Sequence, residues 1–136
     1  MTMASRAISA YVKTGVESGV PEADSHKLVA MLFDGALTAI ADARLKLKAG
    51  DIPGRGKAIS KAIAIVEQGL RASLDKAKGG ELAARLDGLY VYIVGRLFHA
   101  NLRSEAEPLD EVSRLLGELQ EGWTSIGAPQ HEAALV

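Results

Sequence analysis

Apolar residues recur every third or fourth position through four successive stretches of this chain, with no alternating segment among them, and that rhythm restricts the fold to packed helices. The longest stretch, Asp24 to Gly50 (DSHKLVAMLFDGALTAIADARLKLKAG), sets the terms. Asp24 can cap the first free backbone N–H groups, lysines and an arginine crowd the last turns where the helix dipole favours cations, and Gly50 can take the left-handed closing conformation. At about 100° per residue, Leu28, Val29, Met31, Leu32, Phe33, Gly35, Ala36, Leu37, Ala39, Ile40, Ala43 and Leu47 share one arc wider than half the circumference. Packing on one side of a bundle needs a stripe of only about 100°. Such a helix is either covered all round or offers a second apolar face.

The other stretches differ in this respect. From Ile52 to about Ala77, with Pro53 suited to the first turn and Gly79-Gly80 as the stop, Ile52, Ile59, Ile63, Val66, Leu70 and Leu74 form a bundle-facing stripe. Beside it runs a second line, Ala58, Ala62, Ile65, Gly69 and Ala72, whose small side chains would leave a shallow groove. The stretch from Glu81 to about Leu102 buries Leu82, Leu86, Leu89, Tyr90, Ile93 and Leu97, and adds a surplus strip of Val91, Val94, Phe98 and Leu102. The last helix, from near Pro108, carries Leu109, Val112, Leu115, Leu116, Leu119, Trp123 and Ile126 on a stripe of ordinary width. Ahead of these, Ala4, Ile8, Tyr11 and Val12 have helical spacing in a segment too short to hold itself helical, followed by a linker from Val16 to Glu22. Short loops favour antiparallel neighbours, so the expected fold is all-α: an antiparallel up-and-down four-helix bundle over residues 23–126, with an N-terminal arm or short helix and linker over residues 1–22 and a flexible tail over residues 127–136.

Much chemistry is excluded. A formal net charge of −1 supplies no field for a phosphate backbone, so nucleic acid is not an expected partner. No cysteine is present for disulfides or thiolate catalysis, and the longest apolar run, Leu89 to Gly95, is far too short to span a bilayer. The N-terminus lacks the apolar core of a secretory signal, which points to the cytoplasm and away from the membrane. GRGK at Gly54 to Lys57 lacks the preceding strand of a phosphate loop, has Asp51 where the first glycine belongs and Ala58 where a magnesium-binding hydroxyl belongs. His26, His99 and His131 have no second ligand one turn away, and Asp34 and Asp42 lie on a polar helix edge. No catalytic residue, metal site or cofactor is expected, and the chain does not read as an enzyme.

The apolar surplus is the positive signal. By pattern alone it serves equally a better-covered core, a self-associating structural bundle whose strips meet in a homodimer, or a binder that seats a partner's amphipathic helix. The wording of the sequence separates these. HKLVAMLFDGAL, His26 to Leu37, resembles the Ser-Pro-x-Lys-Leu-x-x-Met-Leu-Tyr-Asp-Gly-Ala signature of the FliS family of flagellin export chaperones. Lys61 to Asn101 resembles the family's third and fourth helices, including its Leu-Asp, Gly-Gly-Glu-Leu, Leu-Tyr-x-Tyr and Ala-Asn elements. Glu111 to Leu119, Trp123, Tyr11 and Val16 complete a match from about Tyr11 to Ile126. Asp24-Ser25 stands where the family usually has Ser-Pro, keeping the capping chemistry, and Phe33 stands where a tyrosine is common.

The resemblance implies a cytosolic chaperone that binds the C-terminal helical region of flagellin, prevents its premature polymerisation and keeps it competent for type III flagellar secretion. It also allows contacts with an export-gate component or a regulatory protein. The expected groove is Val29, Phe33 and Leu37 of the second helix, Ala58, Ile65, Gly69 and Ala72 of the third, and Val91, Val94 and Phe98 of the fourth. Ile8, Tyr11, Val12 and Val16 are expected to form an arm that caps this groove until the guest arrives. On this assignment Ile65→Asp weakens guest binding and leaves the bundle helical.

Overall fold

The computed structural model describes residues 22–126. Four helices follow one another with no strand among the described residues: α1 Glu22–Ala49, α2 Ile52–Ala64 continued by a π-helical segment Ile65–Arg71, α3 Lys76–Arg103 and α4 Glu107–Ile126. α2 packs against α1 and α3, and α4 closes the ring between them. The all-α bundle expected from periodicity is the fold observed. The arm residues Ile8, Tyr11, Val12 and Val16 lie outside the described residues.

The helix ends follow from local chemistry. α1 closes with Gly50 at φ 74°, its N–H donating to the Leu47 carbonyl at 3.1 Å while the Asp51 N–H reaches the Lys46 carbonyl at 2.9 Å. This pair of bonds satisfies carbonyls that a helix end otherwise leaves free, and it needs the left-handed residue that glycine supplies. At its other end α1 is already helical at Glu22, the first described residue, so Asp24 lies inside the helix and not at its cap. Asp51 caps α2 by accepting from the Gly54 N–H at 2.9 Å, and a side chain at position 54 would collide with that carboxylate. Arg55, buried just inside this turn, donates from Nε to Asn101 Oδ1 and from a terminal nitrogen to the Asn101 carbonyl, both at 3.1 Å. The GRGK segment therefore fastens the start of α2 to the end of α3.

Two expectations about the middle of the chain are corrected. The second helix ends near Ala72, where Ser73 Oγ donates to the Gly69 carbonyl at 2.5 Å, and not at Gly79-Gly80. Asp75 then caps α3 by accepting from the Lys78 N–H, and Gly80, at φ 53° and ψ −128°, kinks the first turns of α3. Only glycine takes such a conformation freely.

The second correction concerns the groove. Ala58, Ile65 and Gly69 lie on a buried face of α2 and its π-helical extension, and Phe33 is buried in α1. Ile65 is only 2% exposed and its Cδ1 lies 3.3 Å from where a side chain on Gly35 would begin. A Cβ on Gly69 would sit 2.7 Å from Leu32 Cδ2. Ile65 and Gly69 of this line meet α1, while Arg55 on the neighbouring face of α2 meets α3. A helical wheel shows that two apolar lines exist without showing that each has its own neighbour. The π segment strengthens the effect: with hydrogen bonds reaching five residues on, residues four apart stay nearly stacked, so Ile65 and Gly69 point one way, Val66 and Leu70 beside them, and all four are buried.

Ile65→Ala is accordingly expected to cost about 2–5 kcal/mol in urea unfolding. Ile65→Asp, which puts an unpaired carboxylate in the core, is expected to abolish cooperative unfolding altogether. A folded Ile65→Asp protein of native stability would contradict this placement.

Candidate functional site

Antiparallel alternation brings the start of α1, the end of the π segment, the start of α3 and the end of α4 to one pole of the bundle. There they enclose an apolar cavity of about 310 Å³, lined by Val29 and Phe33 of α1, Leu70 and Leu74 after α2, Leu82, Leu86 and Tyr90 of α3, and Leu119, Trp123 and Ile126 of α4. Glu118 and Ser73 are its polar edge. The mouth is braced by a reciprocal clasp. Trp123 Nε1 donates to the His26 carbonyl at 2.9 Å, His26 Nε2 donates to the Trp123 carbonyl at 2.9 Å, and the two rings stack 4.6 Å apart at 12°. With both polar edges satisfied by backbone, the indole can present its apolar body to the cavity.

Tyr90 forms part of the cavity wall and burial pushes its phenol up to about 12. On the flank of α3 that faces α4, Glu111 accepts from Tyr92 Oη at 2.7 Å and from Arg96 Nε at 2.6 Å, and these two donors, the phenol first, hold its carboxyl below the usual range. On the other flank Arg71 donates to Asp87 at 2.6 Å with Lys76 behind it, holding Asp87 low in the same way. Both sets join neighbouring helices and neither faces the cavity. They are structural ties.

A second hollow, at the opposite pole between α1 and α4, is larger, about 660 Å³, but open. Arg44, Lys48 and Asp110 border it, and Arg44 is paired with Asp110 at 3.0 Å. The hollow bordered by charged side chains retains water more readily than the more sheltered apolar one, which gains by filling. Among the described residues no group of three His, Cys, Asp or Glu side chains could hold a metal ion.

The ten expected groove residues divide into separate environments. Val29 and Phe33 line the cavity; Leu37 and Ala72 are half-buried; Ala58, Ile65 and Gly69 are inside the bundle. Val91 and Phe98 are exposed on the outer face of α3, with Val94 half-buried beside them, and none of these three lines the cavity. Leu74, Leu82, Leu86, Trp123 and Ile126 belong to the site, although periodicity assigns them to the bundle stripe. The missing signal was their position along the helices: all are stripe residues at helix ends that share one pole.

Fold and cavity together define a class, a four-helix bundle with one open apolar end suited to seating the side chains of another chain. A family model described as flagellar protein FliS matches residues 7–130. The chain is 49% identical over 119 residues to the flagellar secretion chaperone FliS of Salmonella typhimurium, covering 88% of each chain. It is 42% identical to the FliS of Escherichia coli over 120 residues, again 88% of each, and 42% identical over 123 residues to the flagellar secretion chaperone FliSB of Pseudomonas aeruginosa, covering 90% of this chain and 97% of that one. The chain belongs to the FliS family.

Because burial raises the Tyr90 pKa in the folded state above its unfolded value, its contribution to stability is intact below about pH 10 and is lost as pH rises toward about 12. Chemical unfolding across that range is expected to show a loss of up to roughly 2–3 kcal/mol that Tyr90→Phe removes.

Proposed function

We propose that this chain is a flagellar export chaperone that binds the C-terminal helical region of flagellin in the cytoplasm, keeps it from polymerising early and holds it ready for type III flagellar secretion. Membership of the FliS family and the names of its relatives support the class of activity. The observation that carries the reading is the apolar cavity built by side chains from all four helices. A cavity of this size takes a few apolar side chains from one face of a guest helix, in the manner of helix-in-groove recognition. A guest segment that is disordered beforehand loses conformational entropy on docking, so it needs such apolar anchors to compensate. No helix of the described residues is long and apolar enough to cross a membrane.

The arm has a place in this reading. Val29 lines the cavity within about two turns of Glu22, the first described residue. Ile8, Tyr11, Val12 and Val16 then supply apolar side chains at high effective concentration, and cap the site until the guest displaces them.

Trp123 is the single tryptophan, so its emission reports on the cavity directly. Titration with a peptide from the C-terminus of flagellin is expected to change that emission and to give a negative heat-capacity change from apolar burial. Leu82→Asp, at the exposed rim, is expected to weaken binding by about tenfold or more without loss of helicity. Removing residues 1–15 is expected to tighten it. Binding that leaves Trp123 emission and the Leu82→Asp affinity unchanged would place the guest elsewhere; unchanged affinity after the truncation would exclude the cap.

A further inference from the structure

The hollow at the far pole has no part in the site proposed for the client. Its floor is apolar, made by Ala41, Leu45 and Leu47 of α1 with Ala106 just ahead of α4, and its volume of about 660 Å³ is in the range that seats side chains of another molecule. Leu45 is 67% exposed and belongs neither to the core nor to the cavity at the other pole. A lone exposed leucine is ordinary on a soluble protein, but this one continues the apolar floor of a concave surface.

The charges at this pole are unbalanced. Its carboxylates are engaged: Asp51 caps α2, Asp42 pairs with Lys46 at 3.5 Å, Asp110 with Arg44 at 3.0 Å, Glu107 and Glu111 with Arg96, and Glu105 lies 3.3 Å from His99. Three cations are not. Lys48 at the rim of the hollow, Lys57 near the start of α2 and Arg103 at the end of α3 have no ionic partner among the described residues. Apolar floor and spare positive charge therefore meet at one place, in a chain whose net charge is −1.

We propose that the far-pole hollow docks an acidic amphipathic helix of a second protein, which lays an aliphatic side chain on the floor beside Leu45 and sets a carboxylate at Lys48. Charge complementarity selects this occupant. A basic helix would bring like charge to Lys48, and a wholly apolar segment would take Lys48 and the Arg44–Asp110 pair out of water with no compensating bond. A bilayer surface would meet the cations and leave the hollow unfilled. The ion pair at an exposed rim supplies selectivity and salt dependence, while the apolar contact supplies the anchor. The hollow lies at the opposite end of the bundle from Trp123, so the inference does not rest on flagellin binding and both poles can be occupied together.

The test titrates the full chain, isotopically labelled for NMR, with a synthetic helical peptide that has leucines along one face and glutamates along the other. Amide shifts are expected at Leu45, Lys48 and Ala106, with Trp123 emission unchanged. Leu45→Asp and Lys48→Glu, both at exposed positions, are each expected to weaken binding about tenfold with unaltered circular dichroism, and Lys48→Glu to remove most of its salt dependence. A counterpart peptide with lysines in place of the glutamates is expected not to bind. No binding of the acidic peptide, shifts confined to the cavity pole, equal binding of the lysine peptide, or an affinity indifferent to both substitutions would overturn the proposal. Phosphatidylglycerol vesicles that carry down the wild-type chain but neither variant, with no peptide bound, would overturn it too and give this pole to a membrane surface.

Discussion

The close approach of α1 and the second helix sets the geometry on which everything else depends. Leu32 of α1 seats where Gly69 lacks a side chain, and Ile65 seats against Gly35 of α1, two large-into-small contacts that run in opposite directions along an antiparallel pair. Together they fix the register of the two helices as well as their spacing, since a slip by one turn would set Leu32 against a side chain. Gly69 and Ile65 both lie in the π-helical segment, which keeps residues four apart in line and so holds both contacts on one face. With α1 seated there and α3 reached through Arg55 and Asn101, the second helix becomes the most covered of the four. Apolar surface left over must therefore lie elsewhere, at the pole and on the outside of α3.

That distribution explains what could be read from the residues and what could not. Helix number, order and several ends were legible because each has a local cause, such as the glycine closing α1 and the proline in the first turn of α2. Three residues of the surplus strip on α3, Val91, Phe98 and Leu102, were legible too, since they face away from the core-facing stripe, whereas Val94 packs against the core. Gly79-Gly80 was misread because a glycine pair marks a kink as readily as a stop, and the Asp75 cap begins the next helix ahead of it. The small-residue line on the second helix was misread as a groove because periodicity records the width of an apolar face and says nothing about the number of neighbours. The cavity was only partly legible: Val29 and Phe33 came from the width of the α1 arc, whereas Leu82 and Trp123 join it through three-dimensional alternation that no single helix reveals.

The cavity and the bundle make different demands on the same chain. The core is sealed by aliphatic contacts and tied between helices by the Arg71–Asp87 and Arg96–Glu111 pairs, neither of which lines the cavity. At the pole the His26–Trp123 clasp holds α1 to α4 through backbone carbonyls, and Glu118 is the one carboxylate at the cavity's edge. On the proposed reading a guest helix fills existing apolar space without opening the bundle, which suits a chaperone that must bind its client and later give it up.

The central claim is that the client is recognised at this pole. Hydroxyl-radical footprinting of the full chain, with and without the C-terminal region of flagellin, tests it most directly. The account predicts guest-dependent protection at Leu74, Leu82 and Trp123, with Leu45 and Ile52 at the far pole unchanged. Protection confined to the far pole, with the cavity residues as reactive as in the free protein, would contradict it.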